Sequence, residues 1–219
     1  MDNKEQEIMK IELNTNLRNE LDKLSTINKT IIEAGKSNIT SGRGFYQFDL
    51  FLIPLLNKSL NLNTGYITLI ENGNFITAGA LVRIQLDNLL RIYAPTLIDI
   101  NVDEFASLIL GGKKLNTFKD RLGEQLRDFY LAEQLSKNER YEWVNKVYQD
   151  GHQYVHYTMH SLYSASILNE EKREITFTIG PHDQFVPITE KIAATIWMKI
   201  ITEAILDFAN IWIEHKKGD

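Results

Sequence analysis

A chain of 219 residues that is 43% hydrophobic and 24% charged can bury one substantial core, and it is too apolar for a disordered polypeptide. With 24 basic and 29 acidic residues its net charge is −5, which excludes a general pull toward nucleic acid or anionic membrane and leaves only a local basic patch for such contacts. Cysteine is absent, so a disulfide framework, a thiolate zinc site and a Cys nucleophile are excluded together.

No basic stretch followed by an apolar one opens the sequence, so the expected compartment is the cytoplasm. From about Asn3 to Ala34 the spacing of Leu17, Leu21, Leu24 and Ile31 predicts a helix, its apolar stripe interrupted by Asn28. Residues 35–44, rich in glycine and serine, read as a loop. A second helix is expected from Phe45 to about Leu60, kinked at Pro54. Its apolar run Leu50 to Leu56 lies between Asp49 and Lys58 and is too short to span a bilayer, so no membrane contact is expected. A short helix from Leu62 to Ile70 ends at the turn Glu71-Asn72-Gly73-Asn74.

Phe75 to Tyr93 is apolar around most of its circumference, which predicts the central helix of the domain, stopped by Pro95. Asn101 and Glu104 form an N-cap pair for a helix ending at Gly111-Gly112. Ser136 and Glu139 match a capping box and predict a long helix running to Ser166. Glu174 to Ile179 alternates as a strand does, but no partner strand can be named. A last amphipathic helix is expected from Thr189 to His215, its stripe built from Ala193, Trp197, Ile200, Ala204, Phe208 and Trp212. The expected fold class is all-α: a single-domain helical bundle over residues 1–219, with at most a short strand or hairpin near 167–180. Within it, 1–44 is an N-terminal helix and loop, 45–166 the core, and 167–219 a connecting segment with the C-terminal helix.

The common catalytic and phosphate-binding motifs are missing. Gly42-Arg43-Gly44 lacks a third glycine and a preceding strand, and Gly111-Gly112-Lys113-Lys114 lacks the upstream glycine and the hydroxyl residue of a P-loop. Three histidines, His152, His156 and His160, stand at i, i+4 and i+8, which on a helix puts them on one face. Neighbours in such a row could share a metal, but no acidic residue lies on that face one turn away, and a half-buried polar stripe is the simpler reading. Neither a metal nor a cofactor is therefore expected.

A second row, Arg83, Asp87 and Arg91, runs along the otherwise apolar central helix. Its alternating signs let Asp87 bridge both arginines as a structural ion network, or leave one arginine facing a cleft as an anion site. Lys113, Lys114, Lys119, Arg121 and Arg127, interleaved with Asp120, Glu124 and Asp128, read as a solvated face of mixed sign.

The stretch Gly65 to Asn74, then Ala80-Leu81-Val82-Arg83 with Asp87, and later the pair Val155-His156, resembles an uncharacterised bacterial helical family similar to the HEPN superfamily. The resemblance covers roughly residues 45–166. It implies a helical module of bacterial defence or toxin systems, acting as a homodimer with an RNA or protein partner, and in some members a metal-independent ribonuclease. Active members carry an arginine four to six residues before a histidine, and no such pair occurs in this sequence.

Two functions follow as expectations. One is a non-catalytic, regulatory helical module, dimerising through an apolar helix face with Trp197, Phe208 and Trp212. The other is a ribonuclease in which His156, with His152, moves protons while Arg83 or Arg91, held by Asp87, faces the phosphorane.

Overall fold

In the computed structural model, which describes residues 3–42, 44–170 and 172–218, the hydrophobic stripes close around one helix. That helix is α3 (Phe75–Tyr93), with the bounds its apolar circumference predicts. It packs against α2 (Gln47–Glu71), α6 (Trp143–Val155) and α8 (Ile188–Gly218), while α1 (Asn3–Thr40) lies across α2 and α8. Of two nine-residue helices, α4 (Val102–Leu110) packs on α2 and α5 (Asp128–Ser136) on α3 and α6. A seven-residue α7 (Met159–Ala165) leads into a hairpin of β1 (Ser166–Asn169) and β2 (Glu174–Phe177). The fold is an all-α, single-domain bundle, and no helix among the described residues is long and apolar enough to cross a membrane.

Several boundaries differ from the sequence pattern, each for a tertiary reason. Helix α1 continues through residues 35–40, where a loop was expected, because Ala34 and Asn38 are buried and the Asn38 carbonyl accepts a hydrogen bond from Lys216 Nζ at 2.6 Å. The chain then turns at Gly42, whose φ is +77° and where a Cβ would stand 2.8 Å from the Lys216 carbonyl oxygen. The two helices expected between Phe45 and Ile70 are one. Pro54 removes a single backbone bond to Leu50, which lies on the exposed side, and the buried residues Leu52, Leu55, Leu56, Asn63 and Tyr66 hold both halves on the core.

The long helix expected from Ser136 to Ser166 is broken into three pieces. Ser136 ends α5 instead of opening a helix, its hydroxyl donating back to the Glu133 carbonyl at 2.8 Å, and Asn138 caps a short helical turn at Glu139–Tyr141. Helix α6 ends at Val155, the backbone is extended at His156 and at Thr158, and Thr158 caps α7. The strand expected at Glu174–Ile179 appears as Glu174–Phe177, and its antiparallel partner is β1, with Leu168 opposite Ile175 and Ser166 opposite Phe177.

Asn28, which interrupts the apolar stripe of α1, accepts from Asn63 Nδ2 at 3.0 Å. Asn63 in turn accepts from Thr202 Oγ1 at 3.1 Å, and Gln85 Nε2 donates to Thr202 Oγ1 at 3.0 Å. A chain of polar side chains thus links α1, α2, α3 and α8 through the middle of the bundle, with Gln85 Oε1 buried in it without a hydrogen-bond partner.

Candidate functional site

Helices α3 and α6 approach closely because glycine stands at both contact points. A Cβ on Gly79 would lie 2.9 Å from the Tyr154 ring, and one on Gly151 would lie 3.1 Å from Arg83 Cδ. The methylenes of Arg83 therefore run along the backbone of α6. Its guanidinium sits 4.3 Å above the Tyr148 ring and pairs with Asp87. Burial holds the Asp87 carboxyl above its ordinary range, partly opposed by the adjoining Arg83 charge. The expected bridge from Asp87 to both arginines does not form, since Arg91 pairs instead with Asp128 of α5 at 2.5 Å. The row thus splits into two pairs, Arg83–Asp87 within α3, where Arg83 also stacks on Tyr148 of α6, and Arg91–Asp128, which joins α3 to α5.

The histidine row is split by the break after Val155. His152 and His156 keep their rings 4.1 Å apart, both exposed, with the His156 N–H closing α6 onto the His152 carbonyl at 3.1 Å. His160 belongs to the next helix and turns inward, with Nε2 2.6 Å from Glu190 of α8 and its ring against the edge of Tyr154 at 5.3 Å. Burial, followed by the nearby Glu190 carboxylate, pushes the Tyr154 hydroxyl well above the usual tyrosine range, so it stays protonated.

Of the five candidates, Arg83 and Asp87 are joined, His152 and His156 are joined, and Arg91 stands apart with Asp128. The α6 residues that meet Arg83 are Tyr148 and Gly151, while His152 and His156 occupy the solvent side of that helix. Among the described residues no three of His, Cys, Asp and Glu gather closely enough to hold a metal ion.

Two features lay outside the sequence reading. The first is a buried ion pair, Asp49 with Lys216, in which Asp49 Oδ1 also accepts from Trp212 Nε1 at 2.8 Å. Trp212, one of the three aromatics expected on a dimer face, is buried, while Phe208 packs on Tyr93 and Tyr141 and Trp197 stacks on Trp143, both half-buried against the core.

The second is an apolar surface. Ten large apolar residues between 155 and 179 are exposed, Tyr157 at 90%, Phe177 at 64% and Leu168 at 58% among them. Met159, Leu162 and Tyr163 are spaced i, i+3, i+4 and share one side of α7. In the hairpin, residues directly opposite each other share a face, so the register puts Leu168, Ile175 and Phe177 together. A signal for this surface was present in the sequence, since Leu168, Ile175 and Phe177 sit in a segment with too little chain around it to enclose them.

No family model, no curated protein and no solved structure matches the chain.

Proposed function

We propose that the chain is a regulatory helical module of HEPN-like type, working by contact with another polypeptide and not through a reaction of its own. The exposed apolar surface of α7 and the hairpin carries this reading. Exposed apolar side chains gathered along one side of a short helix and on one face of the adjoining hairpin mark a binding surface. The resemblance supports a setting in a bacterial defence or toxin-type system, where such modules hold protein or RNA partners.

A second reading, a metal-independent ribonuclease, is favoured by one observation. His152 and His156 stand side by side in open solvent, as an acid and base acting on a 2′-hydroxyl would. The cations it requires are committed elsewhere, Arg83 to Asp87 and Arg91 to Asp128, so neither is ready to meet a developing phosphorane. Incubating purified protein with single-stranded RNA decides between the two. The module reading expects intact RNA. Cleavage that disappears in His156→Ala, with the fold retained, would replace it by the enzyme reading.

A further inference from the structure

We propose that a cleft beside the C-terminal turns of α8 binds a small amphipathic carboxylate, its apolar body against Phe208, Ile211 and Trp212 and its carboxylate on Arg121. The cleft has a volume of about 440 Å³, within the range of roughly 300–1,000 Å³ that small-molecule sites occupy. It shares no lining residue with α7 or the hairpin, so the site is additional to the surface described above.

The cleft follows from the sequence of α8. Phe208, Ile211, Trp212 and His215 fall at i, i+3, i+4 and i+7 and so share one side of that helix. What faces them is not a second helix but the bent segment 95–102, which contributes Ile98 and Ile100. Ile211 is left 64% exposed beside the buried Ile92 and Ile98. The wall is fixed at its centre. Trp212 Nε1 donates to Asp49 Oδ1 at 2.8 Å on the buried side, and its ring meets Phe48 at 5.0 Å and His215 at 5.6 Å. The indole N–H is thereby satisfied inside the bundle, and Trp212 offers the cleft its carbon surface. An apolar wall held in place before binding costs a ligand little ordering.

Charge selects the ligand's other end. Arg121 and His215 are the ionisable residues of the lining, and no Asp or Glu among the described residues belongs to it. Arg121 Nε donates to Asp99 Oδ1 at 2.7 Å and Nη2 to the Ile98 carbonyl at 3.3 Å, which holds the guanidinium at the rim. Both members of the Arg121–Asp99 pair are well exposed, 61% and 74%, so Asp99 competes only weakly with a ligand oxygen. One permanent cation with no lysine beside it suits a monoanion, where a phosphate dianion would call for a second. The planar fork of arginine matches a carboxylate through two parallel hydrogen bonds.

The test uses the full-length chain with octanoate as the probe. Calorimetry should show one saturable site per chain, and the thermal midpoint should rise as octanoate is added. Arg121→Gln, or replacing octanoate by 1-octanol, should weaken binding roughly tenfold, as losing a charge-assisted hydrogen bond does. Ile211→Glu sets a negative charge in the cleft at an exposed position, and should abolish binding with an unchanged circular dichroism spectrum. The double variant Leu168→Glu, Phe177→Glu, on the other apolar surface, should bind as the wild type does. Absence of a saturable octanoate site in the wild type overturns the proposal. So does binding that survives Ile211→Glu, that disappears in the hairpin variant, or that is unchanged in Arg121→Gln. A doubled chain mass in light scattering that returns to one chain in Ile211→Glu would put a second copy in the cleft and overturn it as well.

Discussion

Lys216 Nζ lies 2.8 Å from Asp49 Oδ2, and neither side chain has any solvent exposure. The ammonium also donates to the Asn38 carbonyl, and the carboxylate accepts from the Trp212 indole and the Tyr46 amide, so both charges are held by several partners. The pair fastens the last turn of α8 to the end of α1 and the start of α2. Removing one member strands the other: Lys216→Met should destabilise the fold by about 3–5 kcal/mol, and Asp49→Asn added to it should recover part of that loss. Urea unfolding followed by circular dichroism reads both. A Lys216→Met variant of wild-type stability would mean that the ion pair does not hold the helix ends.

Gly79 and Gly151 make an instructive contrast. Alanine favours a helix over glycine by about 1 kcal/mol at either position. At Gly79 the new methyl meets a ring fixed between Phe75 and His160, so Gly79→Ala should be destabilising by about 1–3 kcal/mol despite that gain. At Gly151 it meets the flexible Arg83 stem, and Gly151→Ala should fall close to the wild type. Equal melting temperatures for the two variants would contradict the packing described between α3 and α6.

The histidines separate by burial. His152→Ala and His156→Ala should each change stability by no more than about 0.5 kcal/mol, as exposed positions do. His160→Ala leaves the Glu190 carboxylate without its 2.6 Å partner and should cost about 1 kcal/mol. Thermal unfolding of the three variants checks the order, and a His156 variant less stable than the His160 variant would reverse it.

Asp87 gives a pH dependence with a definite sign. Its carboxyl binds a proton more tightly in the folded state than its ordinary value of 3.8 allows, because burial outweighs the pull of Arg83. Its contribution is therefore fully present below that value and is lost as pH rises through the elevated folded value. Asp87→Asn cannot ionise, so its stability relative to wild type should rise as pH increases from strongly acid toward neutral. Chemical unfolding across that window would show the opposite slope if the Arg83 pairing dominated.

How much of this was legible depends on how far apart the partners lie in the chain. Phe75–Tyr93 was bounded correctly because its apolar circumference and the flanking Asn74 and Pro95 are local signals. Arg83 with Asp87 was readable for the same reason, being four residues apart on one helix. Arg91 was not, since Asp128 is 37 positions away and Asp87 looked the nearer partner. Lys216 sits in a charged C-terminal run that reads as a solvated helix end, and only the packing of α8 against α1 and α2 buries it. The end of α6 carries no proline, and Gly151 lies inside the helix. The break after Val155 comes from Thr158 capping α7 and from His160 turning to Glu190, neither of which periodicity encodes.

Phe75 is the place where the excursion through α7 and the hairpin both departs and returns. Its ring meets Tyr154 edge-on at 5.6 Å just before the chain leaves α6, and its backbone amide donates to Asp183 just before α8 begins. Two further contacts reinforce the second tether, with the Asp183 amide donating to the Gly73 carbonyl at 2.7 Å and His182 Nδ1 2.9 Å from the Asn72 carbonyl oxygen. Everything between is a closed loop with both feet on one spot of the bundle. Closing such a loop depends only weakly on how many residues it contains. The scaffold therefore behaves as a socket: the segment it displays can lengthen or shorten at little cost while α1, α2, α3 and α8 keep their packing.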